Sequence, residues 1–149
     1  MLFRIVDRIL TEFKKLQPGV QTEYSKNDLS ANGPTERVVW YIENDSYGPV
    51  KHLGSNPRQT FSREANVAFQ IFAKTTENLD NYIEDVLSAA QLIMNEDGII
   101  EASGETIDLG TEEQNGYGYK LNITLSTTVT NRMRTTGICI TEVIASEFV

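Results

Sequence analysis

The sequence predicts one α+β domain in which a mixed or antiparallel β-sheet is flanked by two amphipathic helices. Two segments repeat apolar residues at the three-and-four spacing of one helix face, and several others alternate apolar and polar residues as strands do. No internal repeat or linker divides the 149 residues, a length that suits a single domain covering residues 1–149. The predicted order of elements is α-β-β-α-β-β-β.

The first predicted element is a helix from Leu2 to Leu16. It ends at Gln17-Pro18-Gly19, because proline cannot continue the helical hydrogen-bond ladder. A polar segment from Thr22 to Pro34 follows and carries no strand pattern. From Glu36 the apolar period changes to two, and this strand is predicted to be apolar on both faces. The apolar positions of the helix are Leu2, Ile5, Val6, Ile9, Leu10, Phe13 and Leu16.

A β-hairpin with a long tip is predicted next. Residues Asn44 to Ala65 show no period and contain Gly48-Pro49 and Asn56-Pro57, so they are expected to form a loop. A connection of this length is uncommon in a compact domain and is typical of functional or assembly loops. Val67 to Ala73 then alternate as the second strand of the hairpin.

A second helix is predicted from Leu79 to Met94. Thr76 or Asn78 is its expected N-cap, and Asp97-Gly98 is expected to end it. The remainder is predicted to be rich in strands, because apolar and polar residues alternate along it. Its predicted parts are short strands at Ile99 to Ala102 and Thr106 to Leu109, a turn at Asn115 to Gly118, a long strand from Tyr119 to Val129, a turn from Asn131 to Gly137 and a last strand from Ile138 to Phe148.

The charge is distributed unevenly along the chain. Twenty-one acidic and thirteen basic residues give a net charge of −8, which argues against generic binding to nucleic acid or anionic membranes. Between Lys74 and Lys120 there are eleven acids and no Lys or Arg, so this stretch contributes −11 and the remaining ten acids and thirteen bases contribute +3. The split indicates surfaces of opposite sign, or, in the simpler alternative, a solvated acidic helix face with its following loops.

No residue pattern nominates an enzyme site. The single cysteine excludes an internal disulfide and a zinc site built on several thiolates, and the single histidine excludes metal sites with two or three histidines. His52 has no nucleophile and no orienting acid at an informative spacing, and Cys139 is interpreted as a small buried residue of a predicted strand. Gly116-Tyr117-Gly118 precedes a strand instead of opening a helix, so it does not predict a phosphate site. We therefore predict no catalytic residue, no cofactor and no metal.

Nothing in the N-terminal residues predicts a targeting segment. Arg4, Asp7 and Arg8 interrupt the apolar run of Met1 to Leu10. No apolar segment approaches the roughly 18 residues of a membrane span. The chain is therefore expected to be cytoplasmic, or to assemble in a cytoplasm.

The candidate contact residues are basic side chains, some of them beside an aromatic residue. In the predicted loop, Arg58 and Arg63 flank Phe61. Arginine and aromatic residues occur in nucleic-acid grooves and also in protein–protein interfaces, and three basic residues in one loop are too few to indicate nucleic acid. The candidate interface residues are Lys51, Arg58, Phe61, Arg63, Arg132 and Arg134.

The order of elements provides a further indication. A short amphipathic helix precedes a hairpin with a long tip, and a second amphipathic helix precedes a β-rich C-terminal half. The segments that carry this pattern are Leu2 to Leu16, Arg37 to Ile42, Ala65 to Lys74 and Leu79 to Met94. The pattern resembles that of the tail terminator proteins of long-tailed bacteriophages and, more loosely, that of other head–tail neck proteins.

The resemblance implies a structural role with no reaction and no cofactor. Proteins of this family form a ring, usually a hexamer, at the head-proximal end of the tail tube; the ring stops tube polymerisation, presents a surface to the head-completion proteins and leaves a channel for DNA. The chain would then be a virion protein assembled in the host cytoplasm. Loop Asn44 to Ala65 and turn Arg132-Met133-Arg134 would contact a neighbouring subunit or the tube. The alternatives are another head–tail connector, a tube-like subunit, and an enzyme or ligand-binding module.

Overall fold

Two helices and five strands make up the described part of the chain. The computed structural model of the protein describes residues 2–25, 36–49, 60–110 and 116–130. It confirms the α+β class, but the observed order is α-β-β-β-α-β-β instead of the predicted α-β-β-α-β-β-β. The elements are α1 (Leu2–Leu16), β1 (Gln21–Tyr24), β2 (Arg37–Pro49), β3 (Thr60–Ala73), α2 (Thr76–Gly98), β4 (Ile99–Ile107) and β5 (Tyr117–Thr130).

The five strands form one mixed sheet in the order β1-β2-β3-β5-β4. β1 is parallel to β2, with Gln21 opposite Arg37, and β4 is antiparallel to β5, with Gly104 opposite Leu121. β4 is a single strand, whereas the sequence predicted two short pieces in its place. β1 and β4 therefore lie at the two ends of the sheet formed by the described residues.

β1 is absent from the predicted order because its residues give no hydrophobic signal. Most of its side chains are exposed, so the strand has no alternation between buried and exposed positions. Backbone hydrogen bonds to β2 hold it in place: Gln21 N–H donates to the Glu36 carbonyl at 3.3 Å, and Ser25 N–H donates to the Trp40 carbonyl at 3.1 Å. This strand is therefore stabilised by backbone hydrogen bonds to its neighbour, and not by burial of its own side chains.

The prediction of a loop from Asn44 to Ala65 is wrong at both ends. β2 continues to Pro49 and β3 begins at Thr60, so the strands take up residues that were predicted to be irregular. Residues 43–47 are exposed, which explains why no period of two marks this part of β2. The rest of the predicted loop, residues 50–59, lies outside the described residues. So do the predicted turn and last strand beyond Thr130.

Both helices pack on one face of the sheet. Phe13 of α1 and Tyr82 of α2 meet edge to face, with ring centroids 6.4 Å apart. As predicted for β2, Val38 and Val39 are both fully buried although they point to opposite faces of the sheet. Neither helix of the described ranges combines the length and apolarity that a membrane span requires. The fully buried apolar residues of this core include Val6, Ile9, Phe13, Val67, Phe69, Ile71, Val86, Ala90, Ile123 and Leu125.

The contacts within the chain divide it into two compact units. Unit 1 comprises Met1–Asp45 and Ala65–Ser126 and contains both helices; unit 2 comprises Ser46–Glu64 and Thr127–Val149. In unit 2 the structure describes residues 46–49, 60–64 and 127–130. That the whole chain, 1–149, is a single domain stays a prediction.

Candidate interaction surface

The described part of unit 2 carries two exposed aromatic side chains and one half-buried arginine on neighbouring strands. Tyr47 of β2 is 59% exposed and Phe61 of β3 is 45% exposed. The guanidinium carbon of Arg63 lies 5.2 Å from the centroid of the Tyr47 ring, which is a cation–π distance. We call Tyr47, Phe61 and Arg63 the hairpin cluster.

The strand geometry explains why these three side chains come together. Phe61 and Arg63 are two residues apart on β3, so their side chains leave the same face of the strand. Tyr47 lies on the neighbouring strand, β2. The Ser62 hydroxyl donates a hydrogen bond to the Gly48 carbonyl at 3.1 Å and ties the two strands together beside the cluster. The cluster therefore lies on paired strands and not on a loop.

The composition of the hairpin cluster is that of a protein-binding surface. Arginine and aromatic residues are enriched at protein interfaces and among the residues that contribute most to binding, because they combine a large apolar area with a polar group. An exposed cation–π contact contributes only about 0.5–1 kcal/mol. The two aromatic rings remain about half exposed, and this apolar area is open to a partner. The cluster offers stacking, apolar contact and one positive charge.

The structure describes two of the six candidate interface residues. Phe61 and Arg63 lie in β3 and belong to the hairpin cluster. Tyr47 was missed, because the sequence around it does not alternate apolar and polar residues. Only the pairing of β2 with β3 would have indicated that Tyr47 lies beside Arg63. The candidates outside the described residues are Lys51, Arg58, Arg132 and Arg134, and His52 and Cys139 lie outside them as well.

In unit 1 a groove of about 380 Å³ lies between α1 and β1. Trp40 forms an aromatic wall with its neighbours: its ring centroid is 4.8 Å from that of Tyr24 and 5.6 Å from that of Phe3. The ionisable groups of the groove have opposite signs, so they do not select a ligand of one charge. These groups are Asp7, Lys14 and Glu23.

One carboxylate joins the beginning of β2 to the beginning of α2. Glu36 accepts hydrogen bonds from the Tyr82 hydroxyl at 2.8 Å, from the Asn78 side-chain amide at 3.2 Å and from the Lys74 backbone N–H at 2.8 Å. Burial, followed by the hydrogen bond to Glu36, raises the pKa of Tyr82 to about 12. A neutral tyrosine donating to a carboxylate is a stable arrangement at physiological pH, so this contact has a structural role.

An ion pair between Lys120 and Glu43 lies on the sheet. Lys120 Nζ donates a hydrogen bond to Glu43 Oε2 at 2.6 Å, and this bond raises the pKa of Lys120. The same ammonium group lies 5.9 Å from the centroid of the Tyr41 ring. The pair joins β5 to β2 across the sheet and leaves its lysine protonated at physiological pH.

Comparison with known sequences assigns the chain to no family. No protein-family model matches it, and no curated protein matches it. Within the described ranges, no group of three or more His, Cys, Asp or Glu side chains is placed to hold a metal ion.

Proposed function

We propose that this chain is a structural subunit of a bacteriophage tail that forms a ring on the head-proximal end of the tail tube. The ring would stop tube polymerisation and join the tube to the neck proteins. The proposal rests on the element pattern predicted from the sequence, in which two amphipathic helices enclose a hairpin; the structure adds β1 between the first helix and the strands β2 and β3. It places the chain in the virion, with copies of itself, the tube protein and a head-completion protein as partners.

The observation that supports this proposal most directly is the exposure of the aromatic residues of the hairpin cluster. Tyr47 and Phe61 expose aromatic rings on a pair of strands, with the Arg63 guanidinium beside the Tyr47 ring, and exposed aromatic residues on regular elements can form a contact with another protein. Arg63 and Phe61 are also two of the residues for which the sequence predicts a contact with the tube or with a neighbouring subunit. We infer that the cluster binds the tail tube.

The acidic composition of the chain suits a ring through which DNA passes. The excess of acids gives the protein a net charge of −8, and negative side chains repel the phosphate backbone. A channel lined in this way would leave DNA unbound during its passage. The same charge gives no support to a role in recognising nucleic acid.

The proposal is tested by sedimentation of the protein with preformed tail tubes. Wild-type protein is expected to sediment with the tubes, and the variant Phe61→Ala/Arg63→Glu is expected to bind at least about 100-fold more weakly, since residues of this kind contribute several kcal/mol to an interface. Lys74→Glu is the control, because it reverses an exposed charge outside the hairpin cluster. Equal binding by all three proteins would remove the hairpin cluster from the interface.

Native mass spectrometry of the free protein gives a second test. A ring of six chains of 16.7 kDa has a mass of about 100 kDa. Long tubes formed by the pure protein would instead favour the alternative of a tube-like subunit. Absence of binding to tail tubes under any condition that preserves the fold would reject the terminator function.

A further inference from the structure

The outer face of α1 is basic. Arg4, Arg8 and Lys15 are exposed and lie on the side of the helix opposite its buried residues, because positions four, seven and eleven residues apart share one face. Within the described part of the chain, the ion pair formed on this face joins Lys15 to Glu12 at 2.7 Å. Arg4 and Arg8 make no ion pair with the described residues. We call Arg4, Arg8 and Lys15 the basic stripe.

The outer face of α2 is acidic. Glu77, Asp80 and Glu84 are exposed and lie opposite the buried residues of this helix. No lysine or arginine lies between Lys74 and Lys120, so no base on the same helix neutralises them. We call Glu77, Asp80 and Glu84 the acidic stripe.

The two stripes lie on separate helices, each on the side opposite the buried residues of its own helix. The buried faces of the helices meet, since Phe13 and Tyr82 pack edge to face and the Gln17 side-chain amide donates a hydrogen bond to the Asp85 carboxylate at 2.8 Å. Each stripe lies on the opposite side of its helix from this contact. Both helices pack on the same face of the sheet, so both stripes lie on the outer side of the helices and are open to another molecule.

We propose that the basic stripe of one copy docks on the acidic stripe of the next copy. This inference rests on the proposed ring, for which it names the subunit contact. A contact between two different surfaces of the same chain joins copies head to tail, and such a contact gives a ring when the rotation from one copy to the next closes. A second copy is the occupant that the charges favour, because each stripe supplies the sign that the other lacks.

Apolar groups beside the stripes add to this contact. Leu16 at the end of α1 is 56% exposed, and Leu92 on α2 is 64% exposed. Large apolar side chains at these positions are covered when the two helices of neighbouring copies meet.

A charge-exchange experiment tests the proposal. One variant is Arg4→Glu/Arg8→Glu, and the other is Asp80→Lys/Glu84→Lys; circular dichroism verifies that each is folded. Either variant alone is expected to self-associate about 100-fold more weakly than wild type, because each presents like charges to its own copies. An equimolar mixture is expected to assemble again, since each variant then meets the opposite sign on its neighbour. Native mass spectrometry should find the two variants in equal numbers in the mixed particle.

The control has the same change in net charge at other positions. Glu64→Lys/Glu101→Lys reverses two exposed acids outside α2 and is expected to assemble like wild type. The inference would be overturned if this control lost as much assembly as Asp80→Lys/Glu84→Lys does. It would also be overturned if each stripe variant assembled normally on its own.

The outcomes separate this inference from the proposed function. If the stripe variants self-associate as expected but the wild-type ring never binds tail tubes, the terminator function is rejected and the subunit contact is retained. Wild-type binding to tubes that is unchanged in both stripe variants would reject the contact and keep the function. A wild-type chain that stays single both in solution and on tubes would overturn the contact.

Discussion

At the residue scale, Tyr82 and Glu36 form the buried polar contact with the clearest dependence on pH. The protonated hydroxyl donates to the carboxylate, and the pKa of Tyr82 is raised from 10.0 to about 12. A group whose pKa is higher in the folded state contributes stability that is complete below the unfolded pKa and is lost as pH rises through the folded pKa. The contact should therefore stabilise the fold fully below pH 10 and cease to do so as pH rises towards about 12.

Removal of the hydroxyl gives a direct test. Tyr82→Phe is expected to lower the free energy of unfolding by about 1–3 kcal/mol at pH 8, because a hydrogen bond to a charged group is lost. The difference from wild type should shrink between pH 10 and pH 12. Urea unfolding at several pH values measures it. Tyr47→Phe, at an exposed position, is the control and should change stability by less than about 0.5 kcal/mol. A constant difference across this pH range would contradict the assignment.

Gly104 and Tyr119 form a second residue-scale contact. A Cβ atom at position 104 would overlap the ring of Tyr119, which crosses the glycine of the neighbouring strand. Gly104→Ala should therefore displace Tyr119 in the wild-type background. In a Tyr119→Ala background the same change should stabilise the fold by about 0.5–1 kcal/mol, because alanine is favoured over glycine inside a strand. A double-mutant cycle measured by urea unfolding checks this, and equal effects in both backgrounds would exclude the contact.

At the element scale, Thr75 determines where α2 begins. Its hydroxyl accepts from Asn78 N–H at 3.1 Å, and its carbonyl accepts from Leu79 N–H at 3.0 Å. Thr75→Ala is expected to cost about 1 kcal/mol of stability, and Thr75→Ser should retain most of the wild-type value. Thr76→Ala, one position along, should cost much less. Thermal unfolding of the three variants tests the assignment, which fails if Thr76→Ala is the more destabilising change.

The elements that could be predicted from the sequence are those with a buried face. α1 has the predicted bounds because five of its residues pack into the core at helical spacing. β1, the end of β2 and the start of β3 were missed because their side chains are largely exposed. A regular spacing of apolar residues marks only those strands that bury one face. Phe61 and Arg63 were found as candidates by composition. Tyr47 could not be found, because its place beside Arg63 depends on the pairing of two strands.

At the scale of the whole molecule, the uneven charge of the sequence has a structural counterpart. The segment that contributes −11 contains α2, β4 and the start of β5, and the N-terminal segment supplies the basic stripe on α1. The fold places these helices side by side with their charged faces outward. The sign of each segment could be predicted from the sequence, whereas the exposure of the charged faces depends on the burial of the opposite face of each helix in the core.

The proposed role as a tail terminator is tested most directly by polymerising tail tube protein in the presence of this chain and imaging the products by negative-stain electron microscopy. We predict shorter tubes that carry a single ring at one end, with tube length falling as the ratio of this chain to tube protein rises. The hairpin variant Phe61→Ala/Arg63→Glu should leave tube length unchanged. Tubes of unchanged length without an end ring in the presence of wild-type protein would contradict the account.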